Sequence, residues 1–176
     1  MYLWIGCKLP EEFALPLRQQ CLMQKTAIGL DTVAFALPQH ISLKISFPTE
    51  RWAEILSWLE QYLSRQQPFE AELLPPQRQG NILWLPVAEN PVLQRLHREL
   101  DQNLQAQFGI PQHEFDKCFQ FHSTLFMDTD GAKLDRMRQA LLPLAIPRAL
   151  TVDTFLLGAS ETGAPGSYRV LREISV

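Results

Sequence analysis

Apolar residues recur along this chain at two spacings, and the alternation between them sketches an ordered series of strands and helices. Tyr2-Leu3-Trp4-Ile5-Gly6-Cys7 has the length and aromatic content of a buried strand and stops at Leu9-Pro10. From Glu11 to about Lys25, Phe13, Leu17 and Cys21 follow a helical spacing, with glutamates at the start where they complement the helix dipole. Pro16 implies that this helix begins near Leu15 or kinks, because an interior proline costs about 3 kcal/mol. Residues 26–38 read as irregular or weakly extended. Ile41, Leu43, Ile45 and Phe47 then alternate as in a strand. After Pro48-Thr49, Trp52, Ile55, Leu56, Leu59 and Leu63 form one apolar helical stripe.

Phe69 to Leu74 and Ile82 to Val87 predict a hairpin joined by Pro75-Pro76-Gln77-Arg78-Gln79-Gly80, with Arg78 a solvated loop charge. Asn90-Pro91 combines a capping side chain with a proline at the first helical position. The helix it starts carries Leu93, Leu96, Leu100 and Leu104 to Phe108-Gly109, with His97 beside that face and expected at the surface. Ile110 to Phe115 reads as loop. Phe119, Phe121, Leu125 and Met127 predict another strand. A short helix from Asp128-Thr129-Asp130-Gly131, with Leu134, Met137 and Leu141 inward, ends at Pro143. Leu150 to Leu157 and Tyr168 to Ile174 predict a closing hairpin around the turn-rich stretch Gly158 to Ser167.

The candidate chemistry lies in the two strands that carry histidine. His40-Ile41-Ser42-Leu43 and His122-Ser123-Thr124-Leu125 both read His, any residue, hydroxyl, Leu. Strand alternation puts His40, Ser42 and Lys44 on one face and His122, Thr124 and Phe126 on another, so each strand offers an imidazole beside a hydroxyl. With average residue usage, a hydroxyl and an aliphatic residue fall at that offset about one time in 15, so two matches among four histidines arise by chance about 2% of the time. Each strand is followed by an amphipathic helix, which suggests a coarse internal duplication. Two imidazoles facing one cleft supply a general base and a general acid near neutral pH, and the hydroxyls can donate to phosphate oxygens as charge builds there.

On these two tetrapeptides the chain resembles the 2H phosphoesterase superfamily, which includes 2′,5′ RNA ligase-like proteins and cyclic nucleotide phosphodiesterases. The resemblance implies an α+β fold of two pseudo-duplicated α/β lobes, with antiparallel-type sheets flanking a central cleft, in one domain spanning residues 1–176. It implies His40 and His122 as the catalytic pair and Ser42 and Thr124 as phosphate contacts. Lys44, on the His40 face, is a further phosphate-binding candidate, with a solvated strand-end lysine as the alternative. Phe126-Met127 stands where relatives often carry a basic residue; there Phe126 can stack on a base, and Tyr168 is a weaker stacking candidate for which core packing is the preferred reading. The implied activity is metal-independent hydrolysis of 2′,3′-cyclic phosphate nucleotides or RNA ends. The alternatives are a 2′,5′ RNA ligase, a module that binds a nucleotide or RNA end without turnover and, last, an interaction scaffold.

Composition narrows the partners. The formal net charge of −3 argues against broad binding to duplex DNA or RNA, which needs an excess of Lys and Arg, and leaves a small anionic ligand or an RNA end. No resident metal or cofactor is expected: the three cysteines, Cys7, Cys21 and Cys118, lack metal-ligand spacing, as does His113-Glu114. The cysteines are expected as buried, reduced thiols in a cytoplasmic protein. Neither a signal peptide nor a membrane span is evident, and a monomer is expected.

Overall fold

The computed structural model describes residues 1–30, 36–143 and 148–176; residues 31–35, part of the stretch read as irregular, lie outside the described residues. In chain order the described elements are β1 (Tyr2–Lys8), α1 (Glu11–Ile28), β2 (His40–Pro48), α2 (Trp52–Leu63), β3 (Phe69–Glu72), β4 (Gln77–Gln79), β5 (Ile82–Pro86), α3 (Pro91–Phe108), β6 (His122–Met127), α4 (Gly131–Leu141), β7 (Ala149–Val152), β8 (Thr154–Ser160) and β9 (Arg169–Ser175). A 3₁₀ turn, Glu114–Cys118, occupies the segment read as loop before β6. Among the described residues no helix is long and apolar enough to cross a membrane.

Both α1 and α3 end at a glycine. Gly29 and Gly109 adopt left-handed φ angles of 73° and 68°, a conformation that glycine adopts without steric cost. At the start of α3, Asn90 Oδ1 accepts from the backbone N–H groups of Val92 and Leu93, while Pro91 fills the position whose N–H has no helical partner. Asp130 caps α4 in the same way. The first helix starts at Glu11, as its glutamates predict, rather than near Leu15; it runs through Pro16 and continues past Lys25 to Ile28.

The strands form two antiparallel halves. One sheet has the order β2-β1-β8-β9. In the other half β5 lies between β4 and β6, and β3 pairs with β7. Backbone bonds from Leu74 N to Pro86 O (2.7 Å) and from Ala88 N to Glu72 O (2.8 Å) flank a Leu73–Val87 bridge and join these pieces. The expected hairpin is therefore present but reorganised. Its turn lies at Gly80, Pro75-Pro76 interrupts the outer strand, and β3 takes β7 as its main partner. Pro lacks the N–H that a continuous ladder needs, which accounts for the break. Arg78, placed on β4, pairs with Asp135 at 2.9 Å rather than standing free in a loop. The run Leu150 to Leu157 likewise divides at Asp153, sending β7 to one half and β8 to the other.

One buried cluster spans both halves, from Ile5, Ile41 and Leu43 to Leu83, Leu125 and Phe126. The two histidine strands occupy equivalent places, β2 beside β1 and β6 beside β5, and they pack against one another. Cys7 and Cys21 are buried as expected, and burial pushes the Cys21 thiol up to about 12, which keeps it protonated and inert. Cys118 is exposed on the 3₁₀ turn, contrary to expectation.

Candidate active site

Strand β2 presents His40 and Ser42 outward and buries Ile41 and Leu43; β6 repeats this with His122 and Thr124 outward, Ser123 and Leu125 inward. Each imidazole is fixed in the same manner. His40 Nδ1 lies 2.7 Å from Pro38 O, and His122 Nδ1 lies 2.6 Å from Gln120 O. A carbonyl oxygen only accepts, so Nδ1 carries the hydrogen in both rings and Nε2 is left as the nitrogen that exchanges a proton. Each ring also lies against a tryptophan of the neighbouring strand: Trp4 meets His40 edge-on at 4.3 Å between centroids, and Trp84 lies 4.1 Å from His122.

Burial lowers the His40 pKa to about 4, the dominant cause, with repulsion from a charge on His122 adding to it and the bond to Pro38 opposing it. Burial also lowers the pKa of His122, opposed by the bond to Gln120. A polar clasp holds the two histidine strands together: Gln39 Nε2 donates to Ser123 Oγ and to Thr124 O, each at 2.7 Å. Gln39 went unnoticed in the sequence, although a polar residue alternating with His40 falls on the core face and needs a partner there.

His40, Thr124 and Tyr168 share a pocket of about 160 Å³ with Leu37, Met127 and Pro165. Tyr168, just before β9, is positioned by its hydroxyl, which donates to Ser46 Oγ at 2.8 Å. His122 lines a separate, larger pocket of about 460 Å³ with Trp84, Ile45, Phe115 and Phe119. Ser42 lies under Trp4, whose Nε1–H donates to its Oγ at 3.2 Å.

Two other expected site residues are elsewhere, for one shared reason. Between Gly6↔Ser42 and Ile5↔Lys44 the register of β1 with β2 advances one residue on β1 and two on β2. Between Trp84↔Thr124 and Leu83↔Phe126 the same slip occurs in β6. Each is a bulge at the motif leucine, and a bulge reverses the alternation that follows it. Lys44 and Phe126 are consequently buried, with 2% and 0% of their surfaces exposed, and Ile45 and Met127 take the outward positions. Phe126 cannot stack on a base, and Lys44 cannot reach a phosphate in the cleft.

Lys44 instead enters a buried charged group. Its Nζ bonds Asp101 and lies 2.7 Å from Asp116 Oδ2. Next to it His97, expected at the surface, is buried with Nδ1 2.7 Å from Leu43 O and Nε2 2.9 Å from Asp116 O. His97, Asp101 and Asp116 bring ligand-capable atoms within 4.8 Å of one another, a set that would suit a metal ion. The Lys44 ammonium already bonds both carboxylates, and carbonyl oxygens engage both ring nitrogens, so the ligand atoms are taken up within the chain and this group fits an internal cation better than a metal.

The family model described as the 2′-5′ RNA ligase superfamily matches residues 18–164. No curated protein matches the sequence. Among solved structures, TT0787 of Thermus thermophilus is similar over 99% of this chain and 97% of its own, at 23% identity and a TM-score of 0.67. E. coli LigT in its apo form is similar over 99% and 96%, at 22% identity and a TM-score of 0.61. Usb1 of Kluyveromyces marxianus is similar over 99% and 98%, at 9% identity and a TM-score of 0.51. The α+β architecture with its antiparallel sheets is the fold of these proteins, and the chain belongs to the 2′-5′ RNA ligase superfamily of 2H phosphoesterases.

Proposed function

We propose that this protein is a phosphodiesterase that opens 2′,3′-cyclic phosphates on nucleotides or RNA ends, with His40 as general base and His122 as general acid. The observation that carries this reading is the repeated arrangement of the two rings, each bonded through Nδ1 to a carbonyl and each left with Nε2 for proton transfer. The depressed pKa of His40 keeps its ring neutral near pH 7, the state a base requires. His122, whose ring is the more exposed of the two, is assigned the proton that the leaving oxygen takes.

In this scheme His40 Nε2 removes a proton from water as its oxygen bonds to phosphorus. The P–O bond to one ribose oxygen breaks, and His122 gives that oxygen its proton, leaving a phosphomonoester and a free ribose hydroxyl. Net transfer of one proton from His40 back to His122 through solvent resets the pair. Ser42 and Thr124 donate to the non-bridging oxygens. With Lys44 withdrawn into the interior, these hydroxyls carry the charge stabilisation on the motif face, which suits a single phosphodiester charge rather than a polyphosphate. Tyr168, which lines a pocket with His40 and Thr124, is assigned the role of stacking on a base. LigT has been crystallised with 3′-AMP, with ATP and with NADP+, so a protein of this fold accommodates nucleotides in its crystals.

The test is an assay of the purified protein against 2′,3′-cyclic nucleotides and RNAs ending in a cyclic phosphate, with products resolved as 2′- or 3′-phosphomonoesters. Tight binding without conversion would replace this reading with a non-catalytic nucleotide-binding module. Formation of 2′,5′ linkages from cyclic-phosphate and 5′-hydroxyl ends would show the reverse, ligase direction.

A further inference from the structure

We infer that Trp4 is a positioning residue that fixes Ser42 as a hydrogen-bond donor to the substrate phosphate, an inference that rests on the phosphodiesterase reading above. An indole N–H only donates, so in the 3.2 Å bond between Trp4 Nε1 and Ser42 Oγ the serine is the acceptor. One lone pair of Oγ is thereby engaged, and the serine's own hydrogen is directed away from Trp4 and remains free to donate. The same indole meets the His40 ring edge-on at 4.3 Å and 68°, so a single side chain holds both chemically active groups of the first motif.

The fold makes room for this ring at two glycines. A Cβ on Gly6 would lie 2.7 Å from Trp4 Cζ2, and a Cβ on Gly158 would lie 2.6 Å from Trp4 Cε3. Neither glycine is among those with positive φ, so their conformation does not call for glycine; the close approach of the indole does. Gly158 is the direct register partner of Trp4 on β8. Trp4 is 7% exposed and lies on this glycine floor with its polar edge turned to Ser42.

The second half repeats the ring but not the bond. Trp84 lies against His122, yet its Nε1 is buried without a hydrogen-bond partner among the described residues. Thr124 is therefore not oriented as Ser42 is, and the two hydroxyls are not equivalent: Ser42 is preorganised by Trp4, whereas Thr124 has to be organised by the substrate.

The test is a double-mutant cycle of Trp4→Phe and Ser42→Ala, read as kcat/KM for a 2′,3′-cyclic nucleotide, with urea midpoints measured alongside. Trp4→Phe keeps an aromatic ring and removes the N–H; it should lower kcat about 10-fold, leave KM and the pH profile in place, and have little further effect once Ser42 is alanine. Trp84→Phe serves as the control, its effect multiplying with that of Ser42→Ala. Wild-type kcat in Trp4→Phe, or effects of Trp4→Phe and Ser42→Ala that simply multiply, would overturn the inference. If Trp4→Phe does not fold, Trp4→Tyr takes its place under the same criteria. If the wild-type protein turns over no cyclic nucleotide, the phosphodiesterase reading fails separately, and the cycle is read in the affinity for 3′-AMP. Coupling there retains the Trp4–Ser42 unit, and additivity or absence of binding rejects it.

Discussion

Replacing Lys44 with methionine separates the two roles open to this residue, a phosphate contact or an internal counter-ion. The substitution keeps the length of the side chain and removes its charge. Lys44, Asp101 and Asp116 have side chains that are 2%, 6% and 0% exposed, so water cannot compensate the two carboxylates once the ammonium is gone. Breaking a buried ion pair from one side costs roughly 3–5 kcal/mol. The low end applies, because the carboxylates keep other donors: Asp116 accepts from His113 N at 2.9 Å and Ile45 N at 3.3 Å, and Asp101 accepts from Gln112 Nε2 at 3.0 Å. A loss of about 3 kcal/mol corresponds to a fall in Tm of roughly 6–12 °C for a chain of this size. Urea unfolding followed by tryptophan fluorescence measures it. Adding Asp101→Asn to Lys44→Met should recover part of the loss, since a neutral amide does not need the missing cation. Under conditions where the variant is folded, KM for a cyclic nucleotide should stay within about threefold of wild type, because an internal counter-ion makes no contact with substrate. A stability change below about 1 kcal/mol together with a tenfold rise in KM would refute this reasoning and return Lys44 to the phosphate site.

Gln39→Ala should weaken the association of the two motif strands. It removes both 2.7 Å bonds to β6 and leaves the fully buried Ser123 hydroxyl short of a partner, for a cost of about 1–3 kcal/mol by urea denaturation; a change below about 0.5 kcal/mol would show that the clasp is idle. The pH dependence of stability should carry the mark of His40. Its folded pKa of about 4 lies below the value of about 6.5 expected when unfolded, so between these limits the unfolded chain binds the extra proton. Stability should therefore rise with pH through that window, by up to about 3 kcal/mol, and His40→Gln should flatten the slope. An unchanged slope in that variant would remove His40 as its source.

The two histidine motifs were legible because the chemistry needs residue types at a fixed offset, and strand alternation carried His40, Ser42, His122 and Thr124 to their outward positions. It failed one residue later in both halves. Nothing in Ser42-Leu43-Lys44 or Thr124-Leu125-Phe126 marks a bulge, because the slip is set by pairing with β1 and β5, which a local reading does not contain. That one cause withdrew both Lys44 and Phe126 from the cleft. His97 was misplaced for a different reason. Its position four residues after Leu93 and three before Leu100 puts it on the buried face of α3, a signal present in the spacing but overridden by the charged neighbours Arg98 and Glu99. Helix ends with a cap and a glycine, as in α3, were readable from local chemistry alone. The partner of β3 was not, because strand pairing is a property of the whole chain.

The most direct test of the two-histidine mechanism is the pH–rate profile of 2′,3′-cyclic nucleotide hydrolysis by wild-type protein, His40→Ala and His122→Ala. The mechanism predicts a bell for the wild type, since one ring must be neutral and the other protonated, and a fall in kcat of roughly 10²-fold to 10⁴-fold in each variant. The limb that disappears should differ: the acidic limb, set by the base, with His40→Ala, and the basic limb, set by the acid, with His122→Ala. Turnover at wild-type rates in either variant, or the same limb lost in both, would contradict the assignment.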